Sequence, residues 1–111
     1  MKTITVPELK QLIVDKPDLG IIDIRTELEV KDGCIPNAQW MDVSSKNFMT
    51  DIVTLPKDKT YCLYCATGGR TSMVVPFMES KGFTDVRALE GGITDWVLAG
   101  NNIVKRNDLK L

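Results

Sequence analysis

The sequence predicts one α/β domain built on a central, mainly parallel sheet with helices on both faces. Three observations carry this. Short β-like runs alternate with helical patterns along the whole chain, the signature of strands joined by crossover helices. The run Leu19 to Ile24 is almost continuously apolar, as befits a strand covered on both sides. With 111 residues and 43% hydrophobic content, the chain can bury a core of its own, removing roughly 65% of its unfolded surface from water.

The elements follow in order. Thr3-Ile4-Thr5 alternates like a short strand, and Thr5 then caps a helix with Pro7 and Glu8 in its first turn and Leu9, Leu12 and Ile13 at helical spacing. Pro17-Asp18 breaks that helix ahead of the Leu19 to Ile24 strand. Thr26 to Lys31 reads as a short helix stopped by Asp32-Gly33. A strand over Gln39 to Val43 and a helical turn around Ser45 to Met49 come next. Thr60 to Tyr64 is a strand and Arg70 to Lys81 a helix ended by Gly82, with Pro76 predicting a kink or a later start. Val86 to Leu89 is the last strand, and Ile93 to Leu98 the last helix, bounded by Gly91-Gly92 and Gly100. Residues 1–100 are assigned to the domain. Residues 101–111 form a tail that reads either as a packed remnant or as a frayed end.

Composition excludes several classes. Fourteen Lys and Arg against fifteen Asp and Glu give a net charge of −1, with no basic cluster to track a phosphate backbone, so no nucleic-acid partner is expected. No apolar run approaches the roughly 20 residues of a membrane helix. An odd number of cysteines and no targeting segment predict a reducing, cytoplasmic location.

The stretch with the most chemistry is Cys65-Ala66-Thr67-Gly68-Gly69-Arg70, between an apolar strand and a helix that opens at Thr71. This layout sets a sulfur within a ring of backbone N–H groups at a helix N-terminus, where unpaired donors and the positive dipole end favour an anion. The glycines supply positive φ where a side chain would block the cradle. A thiol held there ionises readily, and the thiolate is the nucleophile. The chain has no histidine, which removes Cys-His and Ser-His-Asp catalysis and the commonest ligand for zinc or iron. The loop amides and Arg70 must therefore activate Cys65, and no metal or other cofactor is expected.

Other residues carry plainer readings. Cys62 packs in the core. Three positions along a strand place it roughly 10 Å from Cys65, beyond the roughly 7 Å limit of a disulfide. Cys34 is a partly buried turn residue or, alternatively, a resolving thiol for Cys65. Arg25 pairs structurally with Asp23 or contacts the pocket, Trp96 anchors the core, and Met41, Met49, Met73 and Met78 fill it. Beyond the carboxyl ends of the strands, Asp23-Ile24-Arg25, Cys65 and Glu90-Gly91-Gly92 meet around one pocket.

Four motifs in order resemble the rhodanese family of single-domain sulfurtransferases. Asp23-Ile24-Arg25 is similar to the Asp-x-Arg strand end, and Gly33-Cys34-Ile35-Pro36-Asn37-Ala38 to a Gly-His-Ile-Pro-x-Ala turn. Cys65 to Arg70 with Thr71-Ser72 resembles the loop Cys-x-x-Gly-x-Arg-Ser, and Gly91-Gly92 through Trp96 the Gly-Gly-x-x-x-Trp signature. The resemblance covers roughly residues 3–100 and implies that Cys65 takes a sulfane sulfur as a persulfide. It passes that sulfur to a thiophilic acceptor: a small thiol, cyanide or an acceptor protein. Thiosulfate or a small persulfide is the implied donor. The departure is Cys34, where the family usually carries histidine. Two rivals stand beside this reading. One is a phosphatase or arsenate reductase on a related fold, whose loop is one residue longer than the six from Cys65 through Arg70. The other is a non-catalytic or partner-dedicated persulfide relay.

Overall fold

The computed structural model describes residues 1–105. Strands β1 (Lys2–Ile4), β2 (Gly20–Asp23), β3 (Gln39–Trp40), β4 (Thr60–Tyr64) and β5 (Asp85–Leu89) form one sheet in the order β1-β5-β4-β2-β3. Every neighbouring pair is parallel. Helices α1 (Val6–Asp15), α2 (Glu27–Val30), α3 (Phe48–Ile52), α4 (Thr71–Ser80) and α5 (Gly92–Leu98) connect the strands.

Alternation along the strands sorts side chains into two cores. Ile21, Cys62, Tyr64 and Leu89 point to the face covered by α1 and α5, through Leu9, Leu12, Ile93 and Trp96. Ile22, Tyr61, Leu63, Val86 and Ala88 point to the other face, covered by α3 and α4 through Phe48, Ile52, Val74, Val75 and Met78. The sheet is thus covered on both sides, as parallel sheets require. Among the described residues, no helix is long and apolar enough to cross a membrane.

Local chemistry sets the helix ends. Thr5 accepts from the Glu8 N–H at 3.3 Å while Glu8 Oε1 accepts from the Thr5 N–H at 2.8 Å, a closed capping box. Helix α4 ends in a Schellman pattern. The Phe83 N–H reaches the Met78 carbonyl and the Gly82 N–H that of Glu79, with Gly82 at φ +97°. It starts at Thr71 and runs through Pro76.

The largest differences from the expected spans are in β3 and α3. β3 covers two residues rather than Gln39 to Val43, and α3 begins at Phe48 rather than Ser45. Asp42 explains both: its Oδ1 accepts from the Ser44 N–H and hydroxyl, closing a side-chain turn that competes with strand and helix alike. The Met41 and Val43 N–H groups still reach the Asp23 and Ile24 carbonyls across that turn. The short helix α2 occupies only the middle of the Thr26 to Lys31 pattern. In the tail, Val104 pairs antiparallel with Cys34 through two 2.9 Å backbone hydrogen bonds, and the Trp96 indole donates to the Asn102 carbonyl at 2.8 Å. Those residues pack on the domain, while residues 106–111 of the expected tail lie outside the described residues.

Candidate functional site

Cys65 is the first residue after the central strand β4, whose neighbours are β5 and β2. Because the strands are parallel, their three carboxyl ends converge there, the usual place for a site in such a sheet. From Cys65 to the start of α4 the backbone curls around the sulfur. The Gly68 N–H donates to Cys65 Sγ at 3.1 Å. Burial pushes the Cys65 thiol up, but backbone N–H groups of Thr71, Arg70, Gly68 and Thr67 outweigh it and hold the thiol below its usual value. Gly68 alone of the two loop glycines takes positive φ, at +111°. Gly69 does not, so the loop needs only one left-handed residue where two are expected. Thr71 and Ser72 brace the turn by donating hydroxyl hydrogen bonds to the Gly68 and Gly69 carbonyls at 2.8 and 2.6 Å.

From the β5 side, the start of α5 seals the loop. The Ile93 and Thr94 N–H groups donate to the Cys65 and Ala66 carbonyls at 3.0 and 3.1 Å, and the Thr94 hydroxyl adds a third bond to Ala66 at 2.9 Å. These carbonyls point away from the sulfur, leaving the amide side of the loop to face it.

Arg70 forms a two-pronged ion pair with Glu29, its Nη1 and Nη2 donating at 2.7 and 2.8 Å. Glu29 Oε1 also accepts from the Thr26 N–H and hydroxyl, both at 3.0 Å. Led by the hydrogen bonds from Arg70, these contacts hold the Glu29 carboxyl at about 2 despite some burial. Arg70 is raised well above its usual value, chiefly by Glu29, with the Cys65 sulfur adding to the effect. Sequence reasoning about the site missed Glu29, although Thr26-x-x-Glu29 is a capping-box pattern at the strand end that meets the loop. Its second partner, Arg70, is 41 residues away and invisible to spacing.

Arg25 is committed to the scaffold. Its Nε and Nη2 bind Asp23 at 3.0 and 2.7 Å, and Nη2 also donates to the Gly33 carbonyl at 2.7 Å. Burial disfavours its charge, and the Asp23 carboxylate outweighs that cost. The Tyr64 hydroxyl donates to Asp23 at 2.6 Å and accepts from the Ile35 N–H at 3.0 Å, tying the residue before Cys65 to the turn that holds Cys34. Cys34 is buried, with its Sγ 3.6 Å from the Val104 carbonyl. Cys62 and Cys65 are free thiols. Burial pushes Cys62 up to about 12. Alkylation is therefore expected to enter at Cys65 with a pH midpoint below the usual thiol value, about 8.5, and to spare Cys62. Peptide mapping after iodoacetamide labelling across a pH series checks both. Among the described residues, no group of His, Cys, Asp or Glu gathers to hold a metal.

The methionines part company. Met78 is buried as expected, but Met49 and Met73 are 56% and 77% exposed. They line a cleft together with Arg70 instead of filling the core.

The family model of the rhodanese-like domain matches residues 5–99. A sulfurtransferase of Allochromatium vinosum is 31% identical over 96 residues, covering 86% of this chain and 88% of the relative. The chain spans only 24% of the probable adenylyltransferase/sulfurtransferase MoeZ of Mycobacterium tuberculosis, to which it is 35% identical over 94 residues. It spans 34% of a Wolbachia tRNA uridine(34) hydroxylase, at 33% identity over 101 residues. Among solved structures, a rhodanese-like domain protein of Staphylococcus aureus superposes with a TM-score of 0.82 at 30% identity, covering 96% of this chain and all of that one. With the motif order and the parallel sheet, these matches establish that the chain belongs to the rhodanese-like domain family.

Proposed function

We propose that the protein is a sulfurtransferase that carries sulfane sulfur as a persulfide on Cys65. The observation that carries this reading is the ring of loop N–H groups that holds the Cys65 thiol below its usual value despite burial. The Cys65 thiolate attacks the outer sulfur of a donor persulfide, the donor S–S bond breaks, and the donor thiolate leaves. With thiosulfate as donor, sulfite leaves instead. The resulting persulfide meets the same amides, which suit an anion. Sulfurtransferases among the relatives, and a loop of six residues from Cys65 through Arg70, support this over a phosphatase or arsenate reductase.

Glu29 bears on the donor. Arg70 is the only formal charge in the loop, and Glu29 offsets it. A dianion therefore gains little at this mouth, and a small persulfide is the better donor. Turnover with glutathione persulfide and with thiosulfate, both with cyanide as acceptor, tests this: kcat/KM is expected to be higher for the persulfide. Hydrolysis of an aryl phosphate without sulfur transfer would overturn the assignment. Glu29→Gln keeps the Thr26 contacts through its amide oxygen and frees the Arg70 charge. The KM for thiosulfate is then expected to fall about threefold, the scale of a partly exposed ion pair. An unchanged KM would remove Glu29 from donor selection.

The match to a short segment of MoeZ favours a second reading, a relay that serves one partner protein. Negligible turnover with small acceptors, beside rapid transfer to that partner, would distinguish it.

A further inference from the structure

The cleft beside Arg70 has a volume of about 320 Å³ and is walled by Val43, Phe48, Met49, Met73, Val74 and Phe77. Three observations bear on its occupant. First, it borders the loop that carries Cys65. Arg70 belongs to both cleft and loop, and Phe48 and Val74 pack in the same core as Cys65. Second, its wall is apolar but unfilled, with Met73 and Met49 left in solvent. Flexible, polarisable methionine is suited to fitting varied aliphatic shapes. Third, the one charge at its edge is already bound by Glu29, so the cleft offers nothing to a charged head group. Its volume lies at the small end of small-molecule sites, about 300–1,000 Å³. A stable protein interface needs about 800 Å² per partner, more than this cleft presents.

Resting on the sulfurtransferase reading above, we propose that this cleft is the acceptor subsite and takes the uncharged alkyl chain of a small thiol. With the chain along Met49 and Met73, the thiol sulfur lies at the Arg70 end, toward Cys65. The neutral acceptor thiol attacks the outer sulfur of the Cys65 persulfide anion and gives that sulfur its proton. The bond from that sulfur to Cys65 Sγ breaks, its electron pair returns to Cys65 as thiolate, and the product leaves as the protonated alkyl persulfide. Charge and atoms balance, and the loop amides receive the leaving thiolate. Selectivity comes from the chain: each methylene fully buried is worth about fourfold in affinity.

The test compares mercaptoethanol with mercaptohexanol as acceptors for Cys65 loaded from glutathione persulfide. The longer thiol is expected to show at least about a tenfold lower KM, less than full burial of its four extra methylenes would give. Met73→Glu, at an exposed helix position, is expected to bring the ratio of the two KM values to about one. A readout free of turnover uses Cys65→Ser protein with labelled methionine methyl groups. Hexanol is expected to shift the Met49 and Met73 resonances and leave Met1 unmoved. Equal KM values for the two thiols, or unshifted Met49 and Met73 signals, would overturn the subsite. Shifted signals in a protein whose Cys65 gains no sulfur from glutathione persulfide would overturn the sulfurtransferase reading and leave an apolar binding site standing.

Discussion

Cys65→Ser is expected to lower sulfur transfer by at least about a thousandfold, the scale of losing a covalent nucleophile. The serine hydroxyl is close to isosteric with the thiol, and the Gly68 N–H can donate to it as it does to Cys65 Sγ at 3.1 Å. The side chain sits 1% exposed between Ile22, Leu63 and Val74 of the core, so the fold is expected to hold, with Tm within about 3 °C of wild type. Steady-state turnover and a thermal melt on the same sample check both halves. What the variant loses is a group that ionises. A hydroxyl has no thiolate for the loop amides to stabilise, and it forms no persulfide.

Gly92→Ala is expected to cost about 3 kcal/mol, because it meets two obstacles at once. Gly92 lies at φ +58°, a region that costs a non-glycine residue on the order of 1–3 kcal/mol. An added Cβ would also press on the Cys65 carbonyl oxygen and lie 2.6 Å from that of Ala66, both backbone atoms that cannot swing aside. In a domain of this size the Tm is expected to fall by roughly 12–20 °C. Activity is expected to fall further than the folded fraction does. The same two carbonyls accept the Ile93 and Thr94 N–H groups, so pushing them away tilts the loop whose other side faces the sulfur. A melt within a few degrees of wild type would show that α5 can shift freely, and that the glycine pair does not set the loop. Gly91, by contrast, faces only the movable Asp95 side chain, so its constraint is conformational.

The sheet, the order of its elements and the place of Cys65 were legible because they depend on local pattern. Leu19 to Ile24 and Thr60 to Tyr64 are apolar enough to demand burial on both faces. Thr5 with Glu8 announces a helix start, and Gly82 a helix end. Elements went astray where a side chain competes with the backbone, as Asp42 does in shortening β3 and delaying α3. At the site, the thiol, its loop and the strand ends around it could be read from the chain. Glu29 could not, because its bond to Arg70 spans 41 residues and only the fold brings them together. Nor could the exposure of Met49 and Met73, which is set by how the helices pack and not by the pattern along the chain. Pattern marks both residues as apolar, and apolar residues at helical spacing are ordinarily core.

The central claim is that Cys65 carries sulfur, and intact-protein mass spectrometry tests it most directly. Wild type and Cys65→Ser are exposed briefly to glutathione persulfide and to thiosulfate, then to cyanide. A gain of one sulfur, about 32 Da, removed by cyanide and absent from the serine variant, is the predicted result for a covalent carrier. An adduct that persists in Cys65→Ser, or wild-type protein that gains no sulfur from either donor, would contradict it.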